Sequence, residues 1–236
     1  MRDGVSSGIA ILGGSFNPPH LGHLRLALEV FEALRPERLD FVPCAAPPHK
    51  AGAALLPFAL RCSMLREALA PFPFFKVNPV EASLPAPSYT CLTLRAYRRE
   101  AGAGPLYFIL GAGDFTLLDS WKDWRELSLL ATLVVVSRQG EEAEEVAAAM
   151  RRFWPGSEPR RALPGERGRR FSLPEGGEVC YMPVTRLDIN ASLVRERWLK
   201  GLRTDFLVPD AVRDRLSREG PLVKRCWGGT RADAGE

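Results

Sequence analysis

The sequence predicts an α/β protein in which helices cover both faces of a doubly wound, mainly parallel sheet. One reason is alternation, because short apolar runs such as 8–12 and 106–110 alternate with segments of helical periodicity such as 21–34. Such alternation of strands and helices is typical of parallel sheets. The other reason is local. The first apolar run ends in Gly13 and Gly14, which suits a tight turn from a buried strand into a helix.

Each further element is predicted from the same patterns. Continuously apolar or β-branched runs predict strands, and apolar residues at helical spacing predict helices. The predicted strands are 8–12, 39–42, 74–80, 106–110, 132–136 and 179–182. The predicted helices are 21–34, 57–69, 88–101, 115–118, 124–130, 191–199 and 209–218. This order predicts a Rossmann-like sheet followed by a small C-terminal helical part.

The length of 236 residues suits a single domain, residues 1–236, with a core over about residues 8–221. The alternation breaks between about 141 and 177, where the chain begins acidic, becomes helical and then turns rich in Arg, Pro and Gly. We predict a peripheral helix and a surface loop for that stretch. Residues 228–236 are predicted to form a disordered tail.

Composition and charge narrow the class of protein. Hydrophobic residues make up 46% of the chain and charged residues 25%, as in ordinary globular proteins. No apolar run reaches about 18 residues and no signal-peptide pattern is visible, so we expect a cytoplasmic protein that engages no membrane. The net charge of +4 suits phosphorylated substrates and does not by itself indicate nucleic-acid binding. The oligomeric state stays open.

Cysteine and histidine are distributed differently along the chain. The five cysteines are scattered and form no Cys-x-x-Cys pair, so we expect reduced, mostly buried thiols and no zinc site. The three histidines all lie within the first 49 residues. That clustering favours a functional role for the histidines, although no residue is predicted to bind a metal directly.

The segment Gly13–His23 reads GGSFNPPHLGH and lies where the first strand turns into the first helix. Glycines at such a turn let backbone N–H groups approach a phosphate closely. His20 and His23 are three residues apart, so they share one face beside the helix N-terminus, where the helix dipole favours anions. The pattern predicts a site for a nucleotide triphosphate. The structural alternative is a pair of surface histidines on an amphipathic helix.

Two rival nucleotide signatures are missing from the sequence. No Gly-Lys pair occurs, so there is no P-loop of the Walker type. The segment GAGDFT at 111–116 comes nearest to a Gly-x-Gly-x-x-Gly motif, but Thr116 stands at the third glycine position. Dinucleotide binding of the dehydrogenase kind is therefore disfavoured.

The segment Gly13–His23 resembles the signature of the nucleotidyltransferase superfamily that carries a His-x-Gly-His motif. Within that superfamily, the chain resembles bacterial nicotinate-nucleotide adenylyltransferases over about residues 8–221. Four further segments carry this narrower resemblance. They are PPHK at 47–50, SYTCLTL at 88–94, GAGDF at 111–115 followed by Ser120–Trp121, and INASLVR at 189–195.

For ATP, the resemblance implies a site built from both ends of the chain, with Mg²⁺ as the cofactor that accompanies the triphosphate. His20, His23 and Arg195 are the residues implied in catalysis. The local pattern agrees, because Ser192 and Arg195 share a face near the start of a predicted helix. The implied ATP-binding residues are Gly14, Ser15, Phe16, His20, His23, Lys50, Ser192 and Arg195.

For the second substrate, nicotinate mononucleotide, the resemblance implies a pocket with an aromatic ring stacked on the nicotinate. Trp121 is the implied stacking residue, and Trp124 is the alternate. Taken without the resemblance, Thr90 fits a helix cap equally well, Trp121 a core residue and Lys50 an exposed loop lysine. The implied mononucleotide-binding residues are Ser15, Lys50, Tyr89, Thr90, Asp114 and Trp121.

The implied activity is adenylyl transfer from ATP to nicotinate mononucleotide, which gives nicotinate adenine dinucleotide and pyrophosphate in NAD biosynthesis. One alternative is another adenylyltransferase of the superfamily, acting on nicotinamide mononucleotide or phosphopantetheine. A second is a non-catalytic protein that binds nucleotides, or RNA through basic residues of the Arg-rich stretch. Those basic residues are Arg160, Arg161, Arg167, Arg169 and Arg170.

Two positions depart from the pattern of the family. Asn17 stands where many relatives carry Asp, which removes a charge and keeps a hydrogen-bonding side chain. Asn190–Ser192 reads Asn-Ala-Ser in place of the commoner Ser-Ser-Thr, so the hydroxyl at Ser192 is kept and position 190 becomes an amide. These departures bear on the details of phosphate binding.

Overall fold

The computed structural model describes residues 8–47, 54–137, 140–160 and 168–228. Within these ranges, eight strands form one sheet in the order β3-β2-β1-β4-β5-β8-β7-β6. The pairs along β3-β2-β1-β4-β5-β8 are parallel, whereas β6 and β7 are antiparallel additions at one edge. The strands are β1 Ile9–Gly14, β2 Arg38–Pro43, β3 Phe75–Val77, β4 Leu106–Gly111, β5 Thr132–Ser137, β6 Glu158–Pro159, β7 Arg169–Ser172 and β8 Glu178–Pro183.

The same described ranges contain nine α-helices, and single 3₁₀ turns at Val80–Ser83 and Leu118–Ser120. The helices are α1 Leu21–Leu34, α2 Phe58–Leu69, α3 Thr90–Ala101, α4 Ala112–Thr116, α5 Trp124–Leu130, α6 Gly140–Phe153, α7 Ala191–Leu199, α8 Asp210–Arg218 and α9 Gly220–Gly228. The predicted Rossmann-like architecture with a C-terminal helical part is confirmed. No helix in the described ranges combines the length and apolar character needed to span a membrane.

Two apolar clusters fill the two faces of the sheet. Ile11 and Phe108 belong to the cluster beneath α3, α5 and α6, whereas Ala10 and Ile109 belong to the cluster beneath α1 and α2. Neighbours along a strand fall in different clusters because successive side chains point to opposite faces. A third cluster, centred on Val194, joins α2 to the C-terminal helices α7, α8 and α9.

The strand order reverses direction between β1 and β4. From β1 the chain adds β2 and then β3 on one side, and then crosses over to place β4 on the other side. Leu12 pairs with Ile109, so continuing this register sets Gly14, at the end of β1, opposite Gly111, at the end of β4. In open α/β sheets, ligands bind in the crevice outside the carboxyl ends of strands at such a reversal.

The segment 141–177 was predicted as a peripheral helix and a surface loop, and this prediction was incomplete. Helix α6 is present, but β7 is a strand that pairs with β8, and β6 pairs with β7. The reason is that β7 is too short, at four residues, to give a clear strand pattern on its own, and it is defined by its pairing with β8 on one side and β6 on the other. Residues 161–167 lie outside the described residues.

The C-terminal end also differs from its prediction. Helix α9 was not predicted, yet Val223 and Trp227 bury their side chains in the third cluster. Strand β3 is shorter than predicted, because the chain enters a 3₁₀ turn after Pro79. Apart from Gly228, the predicted tail lies outside the described residues.

A buried carboxylate joins α1 to the connection that follows β8. Glu29 is 7% exposed, and its carboxylate accepts hydrogen bonds from the Thr185 N–H at 2.9 Å and from the Arg25 Nε at 2.6 Å. Burial opposes ionisation of Glu29, but the hydrogen bonds from Thr185 and Arg25 outweigh it and hold the pKa of Glu29 below its ordinary value. Glu29 therefore stabilises the fold in its ionised form.

We predict that Glu29→Gln destabilises the protein in a pH-dependent manner. A depressed folded-state pKa contributes stability that is present above the unfolded-state pKa and is lost as pH falls through the folded-state pKa. At pH 7 the substitution should lower the free energy of unfolding by about 1.5–3 kcal/mol, the worth of a hydrogen bond to a charged group. At pH 3 the difference should shrink, because pH 3 lies below the ordinary pKa of an unfolded glutamate, so the unfolded state gains protons that the folded state resists.

Urea unfolding at the two pH values measures this difference. Glu32→Gln is the matched control, because Glu32 is an exposed residue of the same helix. An equal loss of stability at pH 7 and pH 3 in Glu29→Gln would contradict the assignment of an ionised Glu29.

Candidate active site

The turn that follows β1 is shaped by a buried aromatic ring. Phe16 is 1% exposed and adopts a φ of 45°, a conformation that side-chain-bearing residues rarely take. Its ring packs edge-on to His23 at 4.9 Å and lies 5.7 Å from the Phe41 ring, centroid to centroid. A Cβ at Gly14 would lie 3.2 Å from the Phe16 ring. Gly14 therefore leaves room for the ring that fixes the turn.

The two motif histidines stack at the N-terminus of α1. Their ring centroids are 3.5 Å apart and the planes differ by 25°. His20 occupies the N-cap position and is 4% exposed, and its backbone N–H donates to the Nδ1 of His23 at 3.2 Å. Because Nδ1 of His23 accepts a hydrogen bond, the proton of the neutral ring resides on Nε2. His23 is thus oriented as a hydrogen-bond donor through Nε2.

Gly22, between the histidines, allows close approach of a distant part of the chain. A Cβ at Gly22 would lie 3.0 Å from Nδ1 of His20 and 3.1 Å from the carbonyl oxygen of Ile189. The Leu21 N–H, in the first turn of α1, donates to the Leu207 carbonyl at 2.9 Å. The N-terminus of α1 is therefore held by the segments on either side of α7.

Helix α7 supplies a hydroxyl and a guanidinium to this same region. The Asn190 side chain caps α7 by accepting from the Leu193 N–H at 2.9 Å. Arg195 donates to the carbonyl oxygen of Asn17 and to Oγ of Ser192, each at 2.9 Å. Burial lowers the pKa of Arg195, and no carboxylate of the described residues lies within ion-pair distance of it. Arg195 therefore presents a cation that no described carboxylate neutralises.

The side chain of Asn17 ties three segments together. It donates through Nδ2 to the Ala54 carbonyl at 2.8 Å, and its Oδ1 accepts from the Leu56 N–H at 3.0 Å and from Nε1 of Trp227 at 3.4 Å. The orientation of the amide follows from its partners, because a carbonyl only accepts and an N–H only donates. An ionised aspartate in this position would lack the donor for the Ala54 carbonyl.

Four of the six residues implied to bind the second substrate lie at the start of α3, within α4 and just after the second 3₁₀ turn. Tyr89 occupies the N-cap position of α3 and Thr90 is the first helical residue, so Thr90 does not act as the cap. Asp114 is exposed in α4, directly after β4. Trp121 is half-buried, with its ring 6.4 Å from the Phe108 ring.

A cation–π contact brings two of these segments together. The Nζ of Lys122 lies 5.4 Å from the centre of the Tyr89 ring, which places the start of α3 beside the chain at Trp121. The alternate aromatic residue, Trp124, packs against Phe153 at 5.1 Å and Trp154 at 5.6 Å. The structure thus favours Trp121 over Trp124 as a ligand-facing ring, because Trp124 is engaged by the helix α6 region.

Lys50 and the Arg-rich stretch were also singled out from the sequence. Lys50 lies outside the described residues. Arg160 and Arg170 pair with Glu178 at 2.9 and 2.8 Å on the antiparallel edge of the sheet. Across the described ranges, no three His, Cys, Asp or Glu side chains are grouped so that they could hold a metal ion.

Sequence reasoning missed two residues that the structure places against the β1 turn. Trp227 contacts Asn17, as described above, and Arg61 donates from α2 to the carbonyl oxygen of Ser15 at 2.7 Å. A sequence signal existed for Arg61. It shares the buried stripe of α2 with Leu65 and Ala68, and a charge on the apolar face of a helix is unusual. Trp227 has no comparable local signal.

Comparison with known proteins agrees with this geometry. The profile of the cytidylyltransferase-like family matches residues 11–197. Similar curated proteins include two named probable nicotinate-nucleotide adenylyltransferase. The one from Geobacter sulfurreducens is 35% identical over 202 residues, covering 86% of this chain and 92% of the relative. The one from Geotalea daltonii is 35% identical over 211 residues, covering 89% and 96%.

Among solved structures, the fold is similar to that of a nicotinic acid mononucleotide adenylyltransferase from Plasmodium falciparum complexed with NaAD. The TM-score is 0.68 at 16% sequence identity, covering 91% of this chain and 97% of that one. At this identity the likeness concerns the fold, whereas the curated relatives are similar in sequence over most of their length. The chain therefore belongs to the cytidylyltransferase-like family and, within it, to the nicotinate-nucleotide adenylyltransferases.

Proposed function

We propose that the protein transfers the adenylyl group of ATP to nicotinate mononucleotide, giving nicotinate adenine dinucleotide and pyrophosphate, as a step of NAD biosynthesis. The observation that carries this proposal is the junction at Asn17. Its carbonyl oxygen binds Arg195 at 2.9 Å, which joins the two stacked histidines of α1 to the cation and hydroxyl of α7. The names of the sequence relatives support the choice of substrates.

The reaction needs positioning and charge neutralisation more than acid–base chemistry. An oxygen of the mononucleotide phosphate bonds to the α-phosphorus of ATP, and the bond from that phosphorus to the β-phosphate oxygen breaks. Pyrophosphate leaves with the electron pair. The attacking phosphate is already an anion at neutral pH, so no general base is required.

The ATP side of the site is assigned to the turn after β1 and to α7. Backbone N–H groups of Gly14–Phe16 and the rings of His20 and His23 donate to the phosphates at the positive end of α1. Ser192 and Arg195 bind the β- and γ-phosphates, where charge accumulates as pyrophosphate leaves. The absence of a neighbouring carboxylate from the described surroundings of Arg195 suits this role, because its charge is not already paired.

The mononucleotide is assigned to the crevice between the ends of β1 and β4. Trp121 stacks on the nicotinate ring, while Tyr89, Thr90 and Asp114 line the pocket around it. Ser15 is shared between the two substrates, since it lies at the reversal of the strand order. Lys50 is proposed as a further cation toward both phosphates from the loop that follows β2.

Mg²⁺ is proposed to enter with the triphosphate of ATP. The donor set fits this mode, because the described side chains include no cluster of three or more potential ligands and Mg²⁺ is often held largely by phosphate oxygens and water. When bound, the ion offsets the negative charge of the phosphates. Arg195 and the histidines contribute the remaining positive and donor groups.

Release of pyrophosphate from ATP in the presence of nicotinate mononucleotide tests the proposal directly. Parallel reactions with nicotinamide mononucleotide and phosphopantetheine measure which acceptor the pocket prefers. The proposal predicts the highest kcat/KM for nicotinate mononucleotide. Turnover with another acceptor alone would assign the chain a different substrate, and turnover with none would overturn the proposed activity.

We predict that His23→Ala lowers kcat by about 10²–10³-fold, the usual loss when one donor to a developing charge is removed. His20→Ala should lose activity to a similar extent, since its ring stacks on the same face. The measurement is steady-state pyrophosphate release at saturating ATP and mononucleotide.

A second variant separates catalysis from helix capping in this experiment. In His23→Asn, the amide oxygen can still accept the His20 N–H, whereas the Nε2 donor is lost. We expect His23→Asn to keep the wild-type melting temperature and to lose turnover like His23→Ala. Near wild-type turnover in His23→Asn would remove His23 from the catalytic assignment.

We predict that Trp121→Ala raises the KM for nicotinate mononucleotide by about 5- to 150-fold, from a stacking contribution of about 1–3 kcal/mol per base. The KM for ATP should change little, and Trp121→Phe should restore most of the loss because it keeps an aromatic face. Equal rises in both KM values would indicate that Trp121 supports the fold and does not contact the ring.

A further inference from the structure

The buried guanidinium of Arg61 lies beneath the turn that follows β1. Arg61 is 1% exposed, within the inner face of α2. Its Nη1 donates to the Ser15 carbonyl at 2.7 Å and its Nε donates to the Leu56 carbonyl at 3.0 Å. Both acceptors are neutral backbone groups, and no carboxylate of the described residues lies within 4 Å of this guanidinium.

None of the described residues forms an ion pair with Arg61, although the centre of the Phe58 ring lies 5.4 Å from its guanidinium carbon. The closest acidic influence is Glu81, whose carboxylate is engaged by the Ala45 N–H at 3.2 Å and by the Thr93 hydroxyl at 2.9 Å. Burial raises the pKa of the Cys44 thiol to about 11 and also raises that of Cys62, so both thiols are neutral at pH 7. Neither supplies an anion, and burial lowers the pKa of Arg61.

A cation in this position is costly to the folded protein. Burying a charge without a partner of opposite sign is strongly unfavourable, and the carbonyl groups offset only part of that cost. A neutral amide side chain would satisfy a carbonyl without carrying a charge into the interior. The positive charge at Arg61 therefore needs a reason beyond the two hydrogen bonds.

The geometry of the peptide unit connects Arg61 to the ligand side of the turn. In a trans peptide, the C=O of one residue and the N–H of the next point in opposite directions. With the Ser15 carbonyl held by Arg61, the Phe16 N–H faces away from α2. The same hydrogen bond therefore fixes both the carbonyl and a donor of the turn assigned to phosphate binding.

We propose that Arg61 is a positioning residue for phosphate binding. Its planar guanidinium orients the Ser15–Phe16 peptide, and its positive charge, which forms no ion pair with the described residues, favours an anion at that turn. This inference rests on the proposed function of the turn and adds to it a cation from α2. Bound phosphate supplies the negative charge that the protein interior lacks around Arg61.

Two substitutions, Arg61→Gln and Arg61→Lys, test the positive charge and the planar guanidinium separately. Gln keeps a donor and removes the charge, whereas Lys keeps the charge and removes the planar fork. The first readout is the rise in melting temperature that inorganic pyrophosphate causes. We expect this rise to be largely kept in Arg61→Lys and to fall to less than half in Arg61→Gln.

The second readout is steady-state kinetics with ATP and nicotinate mononucleotide. We expect kcat/KM to fall by about 10- to 100-fold in Arg61→Gln, in line with loss of hydrogen bonds from a charged donor. Arg61→Lys should keep its KM for ATP closer to wild type but lose kcat, because an ammonium group lacks the planar guanidinium that holds the Ser15 and Leu56 carbonyls together. Arg66→Gln, an exposed site on the same helix, is the control with the same change in net charge.

The outcomes distinguish this inference from the broader proposal. A wild-type rise in melting temperature with pyrophosphate in Arg61→Gln would overturn the charge role, and wild-type kcat in Arg61→Lys would overturn the positioning role. If Arg61→Gln does not fold, the Lys variant still tests positioning through kcat and the charge through the pyrophosphate effect. Absence of turnover in the wild-type protein would remove the proposed function, while the pyrophosphate effect would still report on Arg61.

Discussion

The hydrogen bonds of Asn17 are the constraint on which the rest of the site depends. Through its amide, Asn17 holds the chain at Ala54 and Leu56 and contacts Trp227 of the last helix. Through its carbonyl oxygen, it binds Arg195 of α7. These partners are separated from Asn17 by 37 to 210 positions in the chain. One buried residue thereby sets where the histidines of α1 stand relative to Ser192 and Arg195 of α7.

The amide at position 17 also affects the electrostatics of the site, because it carries no charge. An ionised aspartate there would place a negative charge on the same residue whose carbonyl oxygen binds Arg195, and it would lack a donor for the Ala54 carbonyl. Asn17 satisfies both neighbours without adding a charge. The cations of this region, Arg195 and Arg61, form no ion pair with a carboxylate of the described residues. That arrangement suits a reaction in which every substrate group near the centre is negatively charged.

The parts of the fold that the sequence predicted well are those with a strong local signal. The bounds of α1, α5 and α7 coincide with their predictions, because apolar spacing and flanking residues mark both ends. Strands β6 and β7 lack such a signal, since they are two and four residues long and are defined by their pairing with each other and, for β7, with β8. Similarly, the motif histidines were identifiable from their spacing. Arg61 and Trp227 act through contacts with remote segments. The apolar stripe of α2 marks Arg61 as unusual, but no local pattern encodes the contacts themselves.

Several features of the site lower the stability of the folded state, and the three apolar clusters around it offset part of this loss. A left-handed Phe16, a buried unpaired Arg61 and a desolvated Arg195 each disfavour the folded state. The third cluster offsets part of this cost, because it packs α2, which carries Arg61, against α7, which carries Arg195. The C-terminal helices therefore do more than cover the sheet. Their packing on α2 holds both cations at the β1 turn.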